Sequence, residues 1–429
     1  MVVRGIPEIV QTIRRIYYTC SLAIYYVLGT SVTESWRILV VAPTPSFSHQ
    51  IVFRSLCRAL HKRGHEIVTI TSIPMRNSSL LNYTEIDISS LYQKAVDWQM
   101  IRTWQNSNQL TFKRYICKSL NIMIEEIFKN PDVRMLYTND SNESFDVVMV
   151  EMIASPAMNI LGYVFNAPVI GVSTLELHYH HQYIIGNPLL PSHVSTWDTS
   201  VTNSDGMSFW QKTQNFLYVW FSVYEWNAVL TSARPDLPNV IYFDSIHVEQ
   251  TPPILPQNLK MFLDDATDGF IYVSFGGNID ITDEIKRSLV ELTSNVFTAE
   301  WLPQQGILAH PKIRAFVYHG GLQSTEEAVH YAVPLIGIPF QFDQNYRVCY
   351  LTSLGVAKHL DIFTCSKEDI DNVIRDLLSD MRYKDNMLKL RARANDRPYD
   401  SLGKAIWWVE FVIRHKGAAY LRFNGNDES

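Results

Sequence analysis

The sequence predicts an α/β fold built as two domains. Three observations lead there. Short apolar strands alternate with helical segments at residues 37–42, 49–63 and 65–70, the pattern of a parallel sheet. A second such series, with a Gly-Gly turn between strand and helix, runs through residues 301–344. Between the two series Pro235, Pro238, Pro252, Pro253 and Pro256 mark a linker. A length of 429 residues, 47% of them hydrophobic and 19% charged, suits two buried cores.

The net charge of −6 carries no basic stripe, so nucleic acid is not an expected partner. Five cysteines, at 20, 57, 117, 349 and 365, form no CxxC pair, which argues against a zinc or redox motif. Residues 1–35 read as a signal peptide or N-terminal anchor: Arg4, Arg14 and Arg15 precede an apolar run at 16–28, and small residues follow. That run is short for a spanning helix. Four glycosylation sequons, at Asn77, Asn82, Asn139 and Asn142, suit the endoplasmic reticulum lumen or secretory pathway.

In chain order, residues 37–42 are a buried-type strand and 49–63 a helix with Ile51, Val52, Leu56 and Leu60 on one face. Gly64 ends that helix and 65–70 is the next strand. No GxGxxG follows the first strand, so a nicotinamide site is not indicated. His49 sits where a strand-end loop enters a helix, the usual place for ligands in open α/β sheets. His61 reads as a solvated helix position and His65 as the start of a strand. Residues 91–128 are largely helical, and 145–150 form a strand ending on Glu151. Residues 156–165 read as a helix and 169–172 as a strand. His178, His180 and His181 lack the carboxylate or cysteine that would complete a metal site. The aromatic stretch 207–226 suits core packing, an acceptor pocket or peripheral membrane contact.

In the second series, 269–275 is a strand closed by Gly276 and Gly277, and 283–293 a helix. Residues 296–300 read as a strand leading to Trp301. A strand at 314–318 ends on His319, Gly320 and Gly321, where a helix starts, and 333–338 is the strand after it. Glycines let a ligand approach the backbone, and the free N–H groups of a helix start favour an anion such as phosphate. Trp301 offers a flat face for a base. Glu327 can accept from two ribose hydroxyls, and Asp343 and Gln344 form an acceptor and donor pair for sugar hydroxyls. Ser324-x-x-Glu327 also fits a capping box, which needs no ligand. Helices at 369–378, 387–394 and 402–413 follow.

Trp301, Gln304, His319, Gly321, Gln323, Ser324, Glu327, Asp343 and Gln344 stand in an order and spacing that resembles the donor-binding signature of the UDP-glycosyltransferases. The insect members are similar from Arg37 to about Leu421. The resemblance implies two Rossmann-like domains facing across a cleft, of the GT-B type. Residues 36–245 would bind the acceptor and 246–429 the UDP-sugar, with the helix at 402–413 folded back across both. It places His49 as the general base and Glu151 as its orienting carboxylate, where the family generally has aspartate; Asp146 is the alternative. Ser274 and Gly276 join the donor residues. The implied reaction is inverting transfer of a sugar, glucose by resemblance to insect members, from a UDP-sugar to a small lipophilic hydroxyl compound. UDP-sugar is a co-substrate, and no metal or other cofactor is expected. Relative to the family the chain omits a segment between Trp226 and Arg234, and a strand with its loop between Thr293 and Val296. Those gaps support a second reading, a catalytically impaired chain that acts as a regulatory partner in oligomers with full-length relatives. An epimerase on the same fold is a third; the acceptor-side resemblance weighs against it. No apolar span follows the basic residues 414–416, so no C-terminal anchor is expected.

Overall fold

The computed structural model describes residues 34–77, 79–90, 109–138, 141–152, 156–175, 208–213, 216, 241, 243–277, 295–340, 343–361 and 364–417. The apolar leader, the histidines at 178–181, most of the aromatic stretch and the helix expected at 283–293 lie outside them.

Five parallel strands form the first sheet, in the order β3-β2-β1-β4-β5: β1 Arg37–Ala42, β2 Glu66–Thr71, β3 Tyr83–Asp87, β4 Val147–Glu151 and β5 Val169–Val172. β1 and β4 are buried along their length, as central strands of a parallel sheet must be. Their side chains alternate. Leu39 and Val41 face a core with Ile124 and Ile127 of α2 (Gln109–Lys129) and Val133 of α3 (Pro131–Tyr137). Ile38, Val40 and Ala42 face the other side, against Val52, Phe53, Leu56 and Leu60 of α1 (Phe47–Lys62). The segment expected as a helix at 156–165 is a 3₁₀ turn, Pro156–Asn159, continued by a short helix, Ile160–Val164. The strand order reverses between β1 and β4, so the crevice at their carboxyl ends is a topological switch point.

The second sheet is also parallel, in the order β6-β7-β8-β9: β6 Phe270–Ser274, β7 Ile313–Tyr318, β8 Leu335–Gly337 and β9 Ala357–His359. Phe316 and Tyr318 of β7 are fully buried, and Tyr272 of β6 stacks on Phe316 with centroids 5.0 Å apart. The strand expected at 296–300 does not form. A strand needs a partner edge, and none of the described strands pairs with this segment. β6 is therefore the edge among the described residues, with Val273 43% exposed.

The linker leads into helix Gln257–Asp264, which the proline count alone did not reveal. The C-terminal helix, Ser401–Arg414, crosses back as expected. Its Ala405, Ile406, Val409 and Ile413 complete the core under α1. Its buried Glu410 accepts from Arg63 Nε and Nη2 and from His65 Nε2. His65 is therefore a buried link between the halves. No helix among the described residues is long and apolar enough to cross a membrane.

Candidate active site

The loop from β1 into α1 is fixed by Gln50. Its Nε2 donates to the carbonyls of Ala42 (2.7 Å) and Thr44 (2.9 Å), and its Oε1 accepts from the Thr71 hydroxyl at 2.8 Å. This holds His49 at the switch point. Glu151 ends β4, one strand away, and is fully buried. His49 Nδ1–H donates to Glu151 Oε1 at 2.7 Å, and Glu151 Oε2 accepts the Thr44 N–H at 3.1 Å. The extra methylene of glutamate therefore reaches the ring. Asp146, the alternative, sits at the opposite end of the strand and accepts the Arg37 N–H at 2.7 Å. With Nδ1 protonated toward Glu151, the lone pair of His49 lies on Nε2, as a general base requires.

Residues expected to bind the donor lie at the carboxyl ends of β6 and β7. Ser274 pairs with Tyr318 across these strands, and His319 follows. Gly276 and Gly320 have φ of 72° and 91°, which favours glycine. A Cβ at Gly321 would lie 2.6 Å from His319 Nε2, and one at Gly276 would lie 3.2 Å from its Cε1, so these glycines make room for the imidazole. Burial pushes His319 down to about 4, so the ring is neutral, and its Nδ1 is a buried atom without a hydrogen-bond partner.

After Ile160–Val164 (α4), Gln257–Asp264 (α5) and Gln304–Leu308 (α6), helix α7 spans Leu322–His330 and is N-capped by Gly321 with no side-chain cap. The capping box read from Ser324 and Glu327 is absent. Both residues lie inside the helix and face Gln304, whose Nε2 donates to Ser324 Oγ (3.0 Å) and Glu327 Oε2 (2.6 Å). Gln305 donates to Glu327 Oε1 at 3.1 Å. Burial pushes the Glu327 carboxyl up to about 7, against these hydrogen bonds. Trp301 is 62% exposed and meets Phe47, two residues before His49, edge to face at 4.6 Å.

Three expected donor contacts are differently engaged. Asp343 pairs with Arg347, whose Nη1 also donates to the Gly320 carbonyl. Gln344 Oε1 accepts the Phe340 N–H at 2.8 Å. The Gln323 side chain turns to the first half and donates to the Thr174 carbonyl at 3.0 Å. This leaves its main chain, in the first turn of α7, as its route to an anion.

Comparison with known proteins found relatives in sequence and in fold. Residues 287–429 fit the family model described as UDP-glucoronosyl and UDP-glucosyl transferase. UDP-glycosyltransferase UGT4 of Dactylopius coccus is 27% identical, with 90% of this chain and 87% of the relative covered. The human UDP-glucuronosyltransferase 2B17 is 26% identical over 90% of this chain and 86% of its own length. Residues 287–429 are thus similar to the UDP-glycosyltransferase family model, and most of the chain is similar to UDP-glycosyltransferases of insect and human origin. The chain is a glycosyltransferase, and the fold agrees. The crystal structure of Arabidopsis thaliana UGT89C1 complexed with UDP superposes with a TM-score of 0.56 at 16% identity, covering 89% of this chain and 100% of that one. CalG4, the calicheamicin glycosyltransferase, gives 0.53 at 16% identity, over 89% and 99% of the two chains. The alignment with the Dactylopius UGT4 runs over 450 positions, more than the 429 residues of this chain, so the relative carries segments that this transferase lacks.

Several residues that shape the transferase's site gave no signal in the sequence. Thr174 stands alone after a strand, yet its hydroxyl oxygen lies 2.7 Å from His49 Nδ1. His247 lies in the linker, yet it is buried and donates from Nε2 to the Gln323 carbonyl at 3.3 Å. Only the spatial return of the linker onto α7 makes it a neighbour of the donor residues.

Proposed function

We propose that this transferase moves glucose from UDP-glucose to a hydroxyl of a small lipophilic acceptor, with inversion at the anomeric carbon. The observation that carries the reading is His49. It is held through Nδ1 by Glu151 at 2.7 Å and linked through Thr174 to the N-terminal turn of α7 in the other half. His49 Nε2 takes the acceptor hydroxyl proton, and buried Glu151 stabilises the resulting imidazolium. The acceptor oxygen bonds to the anomeric carbon as the bond to the UDP oxygen breaks. The charge that develops on UDP falls on the N–H groups at the start of α7 and on His319, whose orphaned Nδ1 supports a ligand there. Trp301 stacks on uracil, while Gln304 and Glu327 hold the ribose. Ser274, Gly276 and Gly321 line the phosphates, and Asp343 and Gln344 reach the sugar by exchanging their contacts with Arg347 and the Phe340 N–H.

The expected setting is the endoplasmic reticulum lumen, and Asn77, Asn82 and Asn142 are exposed, as glycosylated asparagines must be. A role in detoxification accords with a lipophilic acceptor.

The test is incubation of the purified chain with UDP-glucose and 1-naphthol, with products identified by mass spectrometry and proton NMR. A β-glucoside is expected from the α-linked donor. An α-glucoside would overturn inversion. Transfer from UDP-glucuronic acid in preference to UDP-glucose would overturn the choice of sugar.

A further inference from the structure

Thr174 touches both parts of the catalytic apparatus. Its hydroxyl oxygen is 2.7 Å from His49 Nδ1, so the single Nδ1–H is shared between that hydroxyl and Glu151 Oε1. Its carbonyl accepts from Gln323 Nε2 at 3.0 Å. Both residues are buried, Thr174 at 3% exposure and Gln323 at 7%. Gln323 is the second residue of α7, and its own carbonyl is pinned by His247. An unbroken chain of hydrogen bonds thus runs from the start of the donor helix to the ring of the base.

We propose that Gln323 and Thr174 are positioning residues that relay donor occupancy at the N-terminus of α7 to the orientation of the His49 ring. The relay rests on the reading of α7 as the donor site and His49 as the base. Its physics is short-range. An anion at the first turn of α7 draws that turn toward itself, and the buried amide–carbonyl bond passes the displacement to the main chain of Thr174. The Thr174 hydroxyl then moves against the imidazole. While it accepts from Nδ1–H, it favours the tautomer with the lone pair on Nε2. When it withdraws, the ring loses one of its two anchors. The halves are also joined by Phe47 against Trp301 and by the C-terminal helix on α1, so cutting the relay does not separate them. Coupling of this kind is reciprocal: holding the His49 ring in one orientation must change UDP affinity by the same factor that UDP changes the population of that orientation.

The test is ring-labelled histidine NMR of the full chain with UDP as probe. One of the 13 histidines is assigned to position 49 by the His49→Gln variant. Saturating UDP is expected to move the His49 ring signals in the wild type and in Thr174→Ser. In Thr174→Val and Gln323→Leu, calorimetry is expected to give a UDP affinity at neutral pH within about threefold of wild type, with His49 signals that no longer respond. In both variants kcat falls by about tenfold at an unchanged KM for UDP-glucose, and Thr174→Ser restores it. Thr174→Val keeps the carbonyl and the side-chain shape, so it tests the relay independently of the Gln323 variant. UDP binding with the same His49 response in both variants overturns the relay alone. Absence of UDP binding to the wild type overturns the donor-site reading and the relay with it.

Discussion

His49 has one well-defined task if it is the base. Its Nδ1 is committed to Glu151 and Thr174, so Nε2 is the atom left for chemistry. General-base contributions run to about 10²–10⁴ in rate, so His49→Ala should cut kcat by roughly that factor. UDP affinity should stay near wild type, because the residue sits in the opposite half from the donor module. Retained turnover in a quenched-flow or radiolabel assay would remove His49 from the mechanism. Trp301 is the converse case. Its ring is 62% exposed and, among the described residues, meets Phe47 edge-on, so a face is open for a base. Trp301→Ala should weaken UDP binding by about 1–3 kcal/mol, the usual worth of base–aromatic stacking. Equal affinity by calorimetry would place uracil elsewhere.

At the scale of elements, α7 concentrates buried ionisable groups. Glu326 and Glu327 are both pushed up to about 7 by burial, while His247, packed against them from the linker, is pushed down to about 4. The signs oppose. A carboxyl raised in the folded state stabilises fully below its ordinary value of 4.5, and that stability is lost as pH rises through about 7. A depressed histidine stabilises fully above 6.5, and that stability is lost as pH falls through about 4. Two carboxyls outweigh one histidine, so these groups together should cost the wild type stability as pH rises across this window. Glu326→Gln removes one falling contribution, so its melting temperature relative to wild type should climb as pH is raised from 4.5 to 8. A constant offset across that range would show that Glu326 does not bind its proton in the folded protein. The same helix shows what a sequence can convey. Its start was legible because a buried strand followed by glycines leaves few alternatives. The apparent capping box was not a cap, because Gln304, twenty residues earlier, claims both Ser324 and Glu327. Strand 296–300 was misread because β-propensity promises a strand only where an edge exists to receive it. β3 went unseen because Thr84, Glu85 and Asp87 make it read as polar surface. Thr174 and His247 had no local pattern at all, since their roles come from contacts 125 and 76 residues away in sequence.

At the scale of the molecule, the C-terminal helix makes the first half depend on the end of the chain. Its apolar face fills the core under α1, and Glu410 gathers Arg63 and buried His65 into one cluster. The linker adds a second tie, with the Ser245 N–H on Glu326 and the Glu249 N–H on Gln305. Neither half can then lose its structure without exposing apolar surface of the other, so calorimetric unfolding should give one transition. Two resolved transitions would mean that the halves are energetically separate. Glu410→Ala leaves His65 and Arg63 without their acceptor. Removing one partner of a fully buried pair costs about 3–5 kcal/mol, and the partial exposure of Arg63 (49%) places the expected loss nearer 2 kcal/mol. Because the cluster lies at the opposite end of α1 from His49, that loss should appear as a lower melting temperature of the single transition, with UDP affinity at 20 °C unchanged. A split into two transitions in Glu410→Ala would show that this cluster, rather than the linker, is what couples the halves.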